Sequence, residues 1–227
     1  MPYILFTLLV LLIIFGPNLW VSYILNKYQK PLPGMPGTGG ELAKHLLKQF
    51  ELTHVKVEQT ESRRDHYSPV DNVVRLSPEA LNGKSLTALA IAAHEVGHAI
   101  QFNRKEPVSF LRAKYLGKAQ AIQHYGIFIL MFMPFISAIF GGPHLSIFMI
   151  FVGMLTMLAS VLMYLAILPE EWDASFNKAL PILEKGEYVP EQYMPAIRQI
   201  LKACALTYVA AALADIFRLW RWLALIR

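Results

Sequence analysis

Pro2 to Leu25 is a run of 24 residues without a charged side chain, and Leu145 to Leu168 is a second run of 24. In a helix, which rises about 1.5 Å per residue, roughly 20 apolar residues cross the hydrocarbon core of a bilayer. A third uncharged run, Ala119 to Phe140, carries only Gln120, Gln123 and His124 as polar groups in its first turns. The link Gly141-Gly142-Pro143-His144 reads as a tight turn, so the second and third runs predict a transmembrane hairpin. Pro2–Leu25 lacks the basic leader and small-residue cleavage site of a secretory signal, so it reads as a retained anchor. The last apolar stretch, Ala203 to Ile226, holds Asp215, Arg218 and Arg221, with Trp220 and Trp222 beside the arginines. It fits either a fourth span or an interfacial helix. Composition agrees: 55% of residues are hydrophobic and 16% charged, against about 45–50% and about 25% in soluble domains.

The net charge of +5 does not call for nucleic acid, because the Lys and Arg residues sit beside the apolar runs. Asn26 to Lys118 holds 14 Lys and Arg against 9 Asp and Glu, while Gly141 to His144 has no Lys or Arg. Positive residues are retained on the cytoplasmic side, which predicts that residues 26–118 face the cytoplasm. Cys204 is the only cysteine. Any metal must therefore be held by His, Asp or Glu rather than by a cysteine cluster.

Between the first and second runs the chain changes character. Gln29 to Gly40 is dense in Pro and Gly and reads as a linker or structured loop. Thr38 to Phe50 predicts a short amphipathic helix with Leu42, Leu46 and Leu47 on one side. Residues 51–77 predict strands, with Val55 and Val57, then Val74 and Leu76, alternating with other residues around a polar run from Glu61 to Pro69. A small antiparallel β unit is expected. Its Val73–Leu76 strand fits either an interior strand or an edge that an extended substrate could join. Ser85 is placed to cap a buried helix from Leu86 to Phe102.

That helix carries the chemistry, in Ala93-His94-Glu95-Val96-Gly97-His98-Ala99. Residues four apart share a helix face, so both imidazoles can reach one metal ion. Glu95 can poise a water at that metal and shuttle its proton. Two histidines and a carboxylate are costly to bury on an apolar helix without a partner, and a zinc ion is such a partner. Gly97 is expected to leave room beside the metal. A catalytic zinc site usually has three protein ligands, so one more is needed. The segment Leu168-Pro169-Glu170-Glu171-Trp172-Asp173-Ala174-Ser175 offers Glu170, Glu171 and Asp173. Pro169 there suits the first turn of a new helix, and Asp173, two residues from Glu171, would face elsewhere. His66 and Tyr67 fit either ordinary turn residues or hydrogen-bond donors to an oxyanion. His54, His124 and His144 are left to structural or interfacial roles.

These elements resemble the bacterial membrane-bound neutral zinc metallopeptidases. The residues that carry the likeness are Asp65-His66-Tyr67, Arg75-Leu76-Ser77-Pro78, Ala92 to Gln101, and Leu168 to Ser175, where Trp172 stands in place of the more usual Phe. The resemblance runs from about Gly37 to Tyr208. It implies a peptidase of the bacterial plasma membrane with His94, His98 and Glu171 as zinc ligands. More distantly the chain is similar to the heat-shock and prenyl-protein processing membrane peptidases, which place an Asp behind a zinc histidine. Ser175 occupies that position here, so a carboxylate support for the histidine is not expected from it.

The expectation is therefore a multi-span α-helical membrane protein with a small α+β zincin-like catalytic unit, cleaving protein or peptide substrates with one zinc per chain. Its divisions are an anchor (2–25), a catalytic unit (26–118), a transmembrane hairpin (119–168), a segment carrying the third ligand (169–202) and a C-terminal helix (203–227). A catalytically silent scaffold with structural zinc is the alternative, but it gives Glu95 no task. A transporter would need ionisable groups inside its spans, and Gly126 to Leu168 has only His144.

Overall fold

The structure, a computed structural model, describes residues 2–140, 143–210 and 213. The chain is mostly helical with one small three-stranded sheet. Two compact units are present. One contains residues 20–110 and 169–207, and the other contains 1–19, 111–168 and 208–227.

The first unit is built around a helix, Leu86–Asn103 (α4), that is enclosed on every side. Earlier in the chain come α1 (Pro2–Lys27), α2 (Gly39–Gln49), β1 (Lys56–Gln59), β2 (His66–Ser68), β3 (Val73–Leu76) and a single turn, α3 (Pro78–Leu81). After the segment 111–168 the unit resumes with a π-helix over Asp173–Ala179, then α7 (Leu180–Lys185) and α8 (Met194–Ala205). Helix α4 packs against α2, α3, the sheet, the π-helix, α7 and α8. Every residue from Ala92 to Gln101 is buried. This explains why α4 is apolar all round instead of striped. Ser85 caps it, accepting a hydrogen bond from the Ala88 amide, as its position predicts.

The sheet differs from the expected antiparallel unit. The strand order is β1-β3-β2, with β1 parallel and β2 antiparallel to β3. Strand β3 is thus interior, and it is not the edge that a substrate could join. The sequence pattern misses β2 because only three residues of a polar run are involved. What forms it is the tight turn between Ser68 and Val73, where Asn72 takes a positive φ of 55°.

Helix α2 begins inside the Pro/Gly-rich stretch. Thr38 and Glu41 form a reciprocal capping box: the Glu41 amide donates to Thr38 Oγ1 (3.2 Å) and the Thr38 amide donates to Glu41 Oε2 (2.8 Å). Gly39 and Gly40 are required by packing. A Cβ on Gly39 would lie against the carbonyl oxygens of Ala80 and, at 2.6 Å, Ala88. The same atom on Gly40 would sit 2.7 Å from the Leu81 carbonyl oxygen. The expected linker thus ends in a helix start docked on the backbone of α3 and α4.

In the second unit, α5 (Leu111–Phe140) and α6 (Pro143–Trp172) contribute most of the chain. Ala119, Tyr164 and Ile167 form a buried cluster, and the Tyr164 hydroxyl donates to Gln123 Oε1 at 3.3 Å, satisfying a buried amide within an apolar run. The helices approach closely where Gly153 faces Leu130. Pro169 does not begin a new helix: α6 continues through it to Trp172. Having no N–H, Pro169 removes one hydrogen bond from the ladder, and the helix widens to π geometry four residues later. Among the described residues, one helical run, Ile147–Lys185, is long and apolar enough to cross a membrane by length and composition. The stretch after Ala210, with Asp215, Arg218, Trp220, Arg221 and Trp222, lies outside the described residues, apart from residue 213.

Gly39→Ala should destabilise the protein by about 1–3 kcal/mol, the usual cost of forcing extra atoms into a packed contact. Gly117 lies within α5 with nothing within 4 Å of its would-be Cβ, so Gly117→Ala should be neutral or stabilising by up to about 1 kcal/mol. Thermal unfolding of both variants in the same detergent checks the contrast.

Candidate metal centre

One turn apart on α4, His94 and His98 direct their Nε2 atoms to one point, 3.3 Å from each other. Glu171, from the last turn of α6, brings its Oε2 to 3.3 Å from His94 Nε2 and 3.2 Å from His98 Nε2. All three side chains are buried. Tetrahedral zinc with bonds of about 2.0–2.2 Å to nitrogen and oxygen separates its ligand atoms by about 3.3–3.6 Å. The observed triangle is close to the lower end of that range. Three donors of N, N and O type leave a fourth corner open, as catalytic zinc requires. Glu170 and Asp173, the other acids of the segment, are not in the triangle.

The far nitrogen of each imidazole is occupied. His94 Nδ1 meets Ser175 Oγ at 3.0 Å, and that hydroxyl donates to the Leu201 carbonyl at 3.1 Å. With its proton committed, Ser175 accepts from His94, so His94 carries its hydrogen on Nδ1 and offers an Nε2 lone pair. His98 Nδ1 meets Gln101 Oε1 at 3.0 Å. Burial pushes the Glu171 carboxyl upward, but where the imidazoles are protonated the charge of His98 and hydrogen bonds from both outweigh that and hold it well below the usual carboxylate range. In the neutral tautomers Glu171 is left facing Nε2 lone pairs, and a metal cation would take the place of those protons.

Glu95 is buried, and its Oε2 accepts a hydrogen bond from the Tyr67 backbone N–H at 2.8 Å. Strand β2 thus spends an outward-facing amide on the carboxylate next to the first histidine. The Tyr67 hydroxyl donates to Asn72 Oδ1 at 3.4 Å, and His66 Nδ1 donates to the Arg64 carbonyl at 2.7 Å. A neutral His66 therefore bears no hydrogen on Nε2. The structure brings neither His66 nor the Tyr67 hydroxyl into the three-ligand triangle.

Two sequence expectations are corrected. Gly97 does not face the metal. A Cβ there would meet the Ala174 carbonyl oxygen at 2.8 Å and Lys178 Cβ at 3.3 Å, so it is α4 and the π-helix that need the space. Asp173 does not point away from the site's surroundings: its Oδ2 accepts from Gln101 Nε2 at 2.7 Å. Gln101 was missed because glutamine has no ligand signature. The signals available were its spacing, three residues after His98 and so on the same face, and its place at the end of the Ala92–Gln101 element.

A buried helix offering two imidazoles one turn apart, closed by a carboxylate from a second element, is the donor set of a zinc-peptidase centre. The chain belongs to the family described as "Putative neutral zinc metallopeptidase", which it matches over residues 3–227. It is 33% identical over 213 residues to the "Putative membrane protease YugP" of Bacillus subtilis (strain 168), covering 91% of this chain and 90% of that protein. No solved structure matches.

His94→Ala and His98→Ala should each abolish tight zinc binding, measured by elemental analysis after chelator challenge. Glu171→Ala should weaken zinc more than Glu170→Ala or Asp173→Ala does. Wild-type zinc affinity in Glu171→Ala would remove it from the ligand set.

Proposed function

We propose that this chain is an integral membrane metallopeptidase that holds one zinc ion on His94, His98 and Glu171 and hydrolyses peptide bonds with Glu95 as general base. The observation that carries this reading is the triangle of ligand atoms, 3.2–3.3 Å on each side, with Glu95 next to the first histidine. Zinc bound there would supply Lewis acidity, polarising a carbonyl and lowering the pKa of water to about 7. Glu95 takes the proton from the attacking water and delivers it to the departing amine nitrogen. The Tyr67 amide fixes the orientation of that carboxylate. Tyr67 acts here through its backbone N–H. A protein or peptide substrate follows from this chemistry.

The membrane part of the proposal rests on surface character. Leu5, Leu9, Leu12 and Leu19 of α1 are exposed, as are Phe128, Phe135 and Ile139 of α5 and Phe148, Phe151, Met154, Leu155 and Leu158 of α6. Aliphatic and aromatic surface at this density suits lipid rather than water. Residues 2–25, 119–140 and 145–168 then span the bilayer, and the charge asymmetry orients residues 26–118 towards the cytoplasm. The printed name of the Bacillus relative also points to a membrane.

Glu95→Gln should keep zinc and lose about 10²–10⁴-fold in hydrolysis of an unstructured protein substrate. Activity equal to wild type would remove Glu95 as the base. For orientation, a cysteine introduced at Ser62, beside Arg63, should resist a membrane-impermeant thiol reagent in intact cells and react after permeabilisation. Labelling in intact cells would reverse the topology.

A further inference from the structure

Gln101 is fully buried one turn beyond His98, and no part of the peptidase reading uses it. Its amide nitrogen faces two groups that can only accept. Gln101 Nε2 donates to the Glu170 backbone carbonyl at 3.0 Å and to Asp173 Oδ2 at 2.7 Å. Asp173 is itself held as an anion: Asn177 donates to its Oδ1 at 2.6 Å, and Lys178 Nζ lies 3.2 Å from its Oδ2. The same ammonium pairs with Glu106 at 2.9 Å. With both amide hydrogens directed at acceptors, the orientation of the Gln101 amide is settled and its oxygen is left facing His98 Nδ1 at 3.0 Å. An amide oxygen cannot donate, so His98 Nδ1 must carry the hydrogen and Nε2 must present its lone pair.

We propose that Gln101 is a positioning residue for the metal centre, transmitting the fixed orientation of Asp173 and the Glu170 carbonyl to His98 so that its Nε2 faces the metal. The proposal rests on the zinc reading above. Its content is that a carboxylate does support a zinc histidine here, through an intervening amide instead of by direct contact. Ser175 supports His94 by itself, with an O–H committed to Leu201. The two ligands on α4 are therefore held by different devices, each anchored outside α4. One rival is Glu170, whose Oε1 lies 3.9 Å from His98 Nδ1. That separation exceeds hydrogen-bond length, whereas the Gln101 contact is within it.

The chemistry allows a test that a packing role would not pass. Met is similar in length to Gln but offers no amide. Gln101→Met should lose about 10–100-fold in zinc affinity, the usual effect of removing a group behind a metal ligand. Gln101→Glu keeps the size and the acceptor facing His98 but sets a carboxylate against Asp173, so it should also weaken zinc. Adding Asp173→Asn turns one opposing group into a donor and should recover part of the lost affinity, the Glu170 carbonyl still facing the carboxylate. Affinities are measured by chelator competition on full-length protein in detergent, with the cobalt(II) visible spectrum reporting coordination geometry and the melting temperature of the metal-free protein reporting folding. Gln101→Met with wild-type affinity and an unchanged cobalt spectrum would overturn the proposal. A double variant no better than Gln101→Glu would also overturn it, as would Glu170→Gln matching or exceeding the loss in Gln101→Met. If Gln101→Met does not fold, the comparison of Gln101→Glu with and without Asp173→Asn decides. Wild-type protein that binds no zinc would instead sink the metallopeptidase reading itself, a result distinct from every outcome among the variants.

Discussion

Burying polar side chains in an apolar core is the constraint on which this structure depends. His94, Glu95, His98 and Gln101 lie on a helix whose neighbours are Ala, Val and Ile, and Glu171 is brought into the same interior. An amide or hydroxyl buried without a partner costs several kcal/mol, and an unpaired charge costs more. Each group is therefore met by another from a different element. Strand β2 supplies the Tyr67 amide to Glu95, the π-helix supplies Ser175 and Asp173, and α8 supplies the Leu201 carbonyl. The requirement to satisfy α4 thus selects what surrounds it, including a three-residue strand that polar sequence alone would not support.

The π-helix is the second consequence. Glu171 and Ser175, four apart, share a helix face, whereas Asp173 between them lies about 160° away round the axis. Here all three serve α4: Glu171 meets both imidazoles, Asp173 meets Gln101, and Ser175 meets His94. Gln101 meets that divergence by reaching Asp173 from beyond His98, and π segments such as Asp173–Ala179 are frequently found at functional sites. The absence of a side chain at Gly97 lets the Ala174 carbonyl come close enough for the contacts to form.

What the sequence discloses follows from how local each determinant is. The cap of α4 at Ser85, the apolar face of α2 and the shared face of His94 and His98 depend on residues close in the chain, and they can be read directly. The family likeness singled out Glu171 over its neighbours, because spacing alone left three acids open. The interior place of β3, the passage of α6 through Pro169 and the link from Asp173 to Gln101 depend on partners distant in the chain. No periodicity encodes them. Gly97 reads as room for a metal, whereas the group that needs the space is the Ala174 carbonyl, distant in the chain.

The unit that holds the candidate metal centre is discontinuous, formed from residues 20–110 and 169–207. A ribosome releases His94 and His98 long before it releases Glu171. During that interval the chain has Glu95 and two imidazoles, yet lacks the carboxylate that completes the triangle and the serine that meets His94. Synthesis order therefore sets assembly order: the triangle closes only after the intervening helices have been made, and a nascent chain stalled within them holds two of its three candidate ligands.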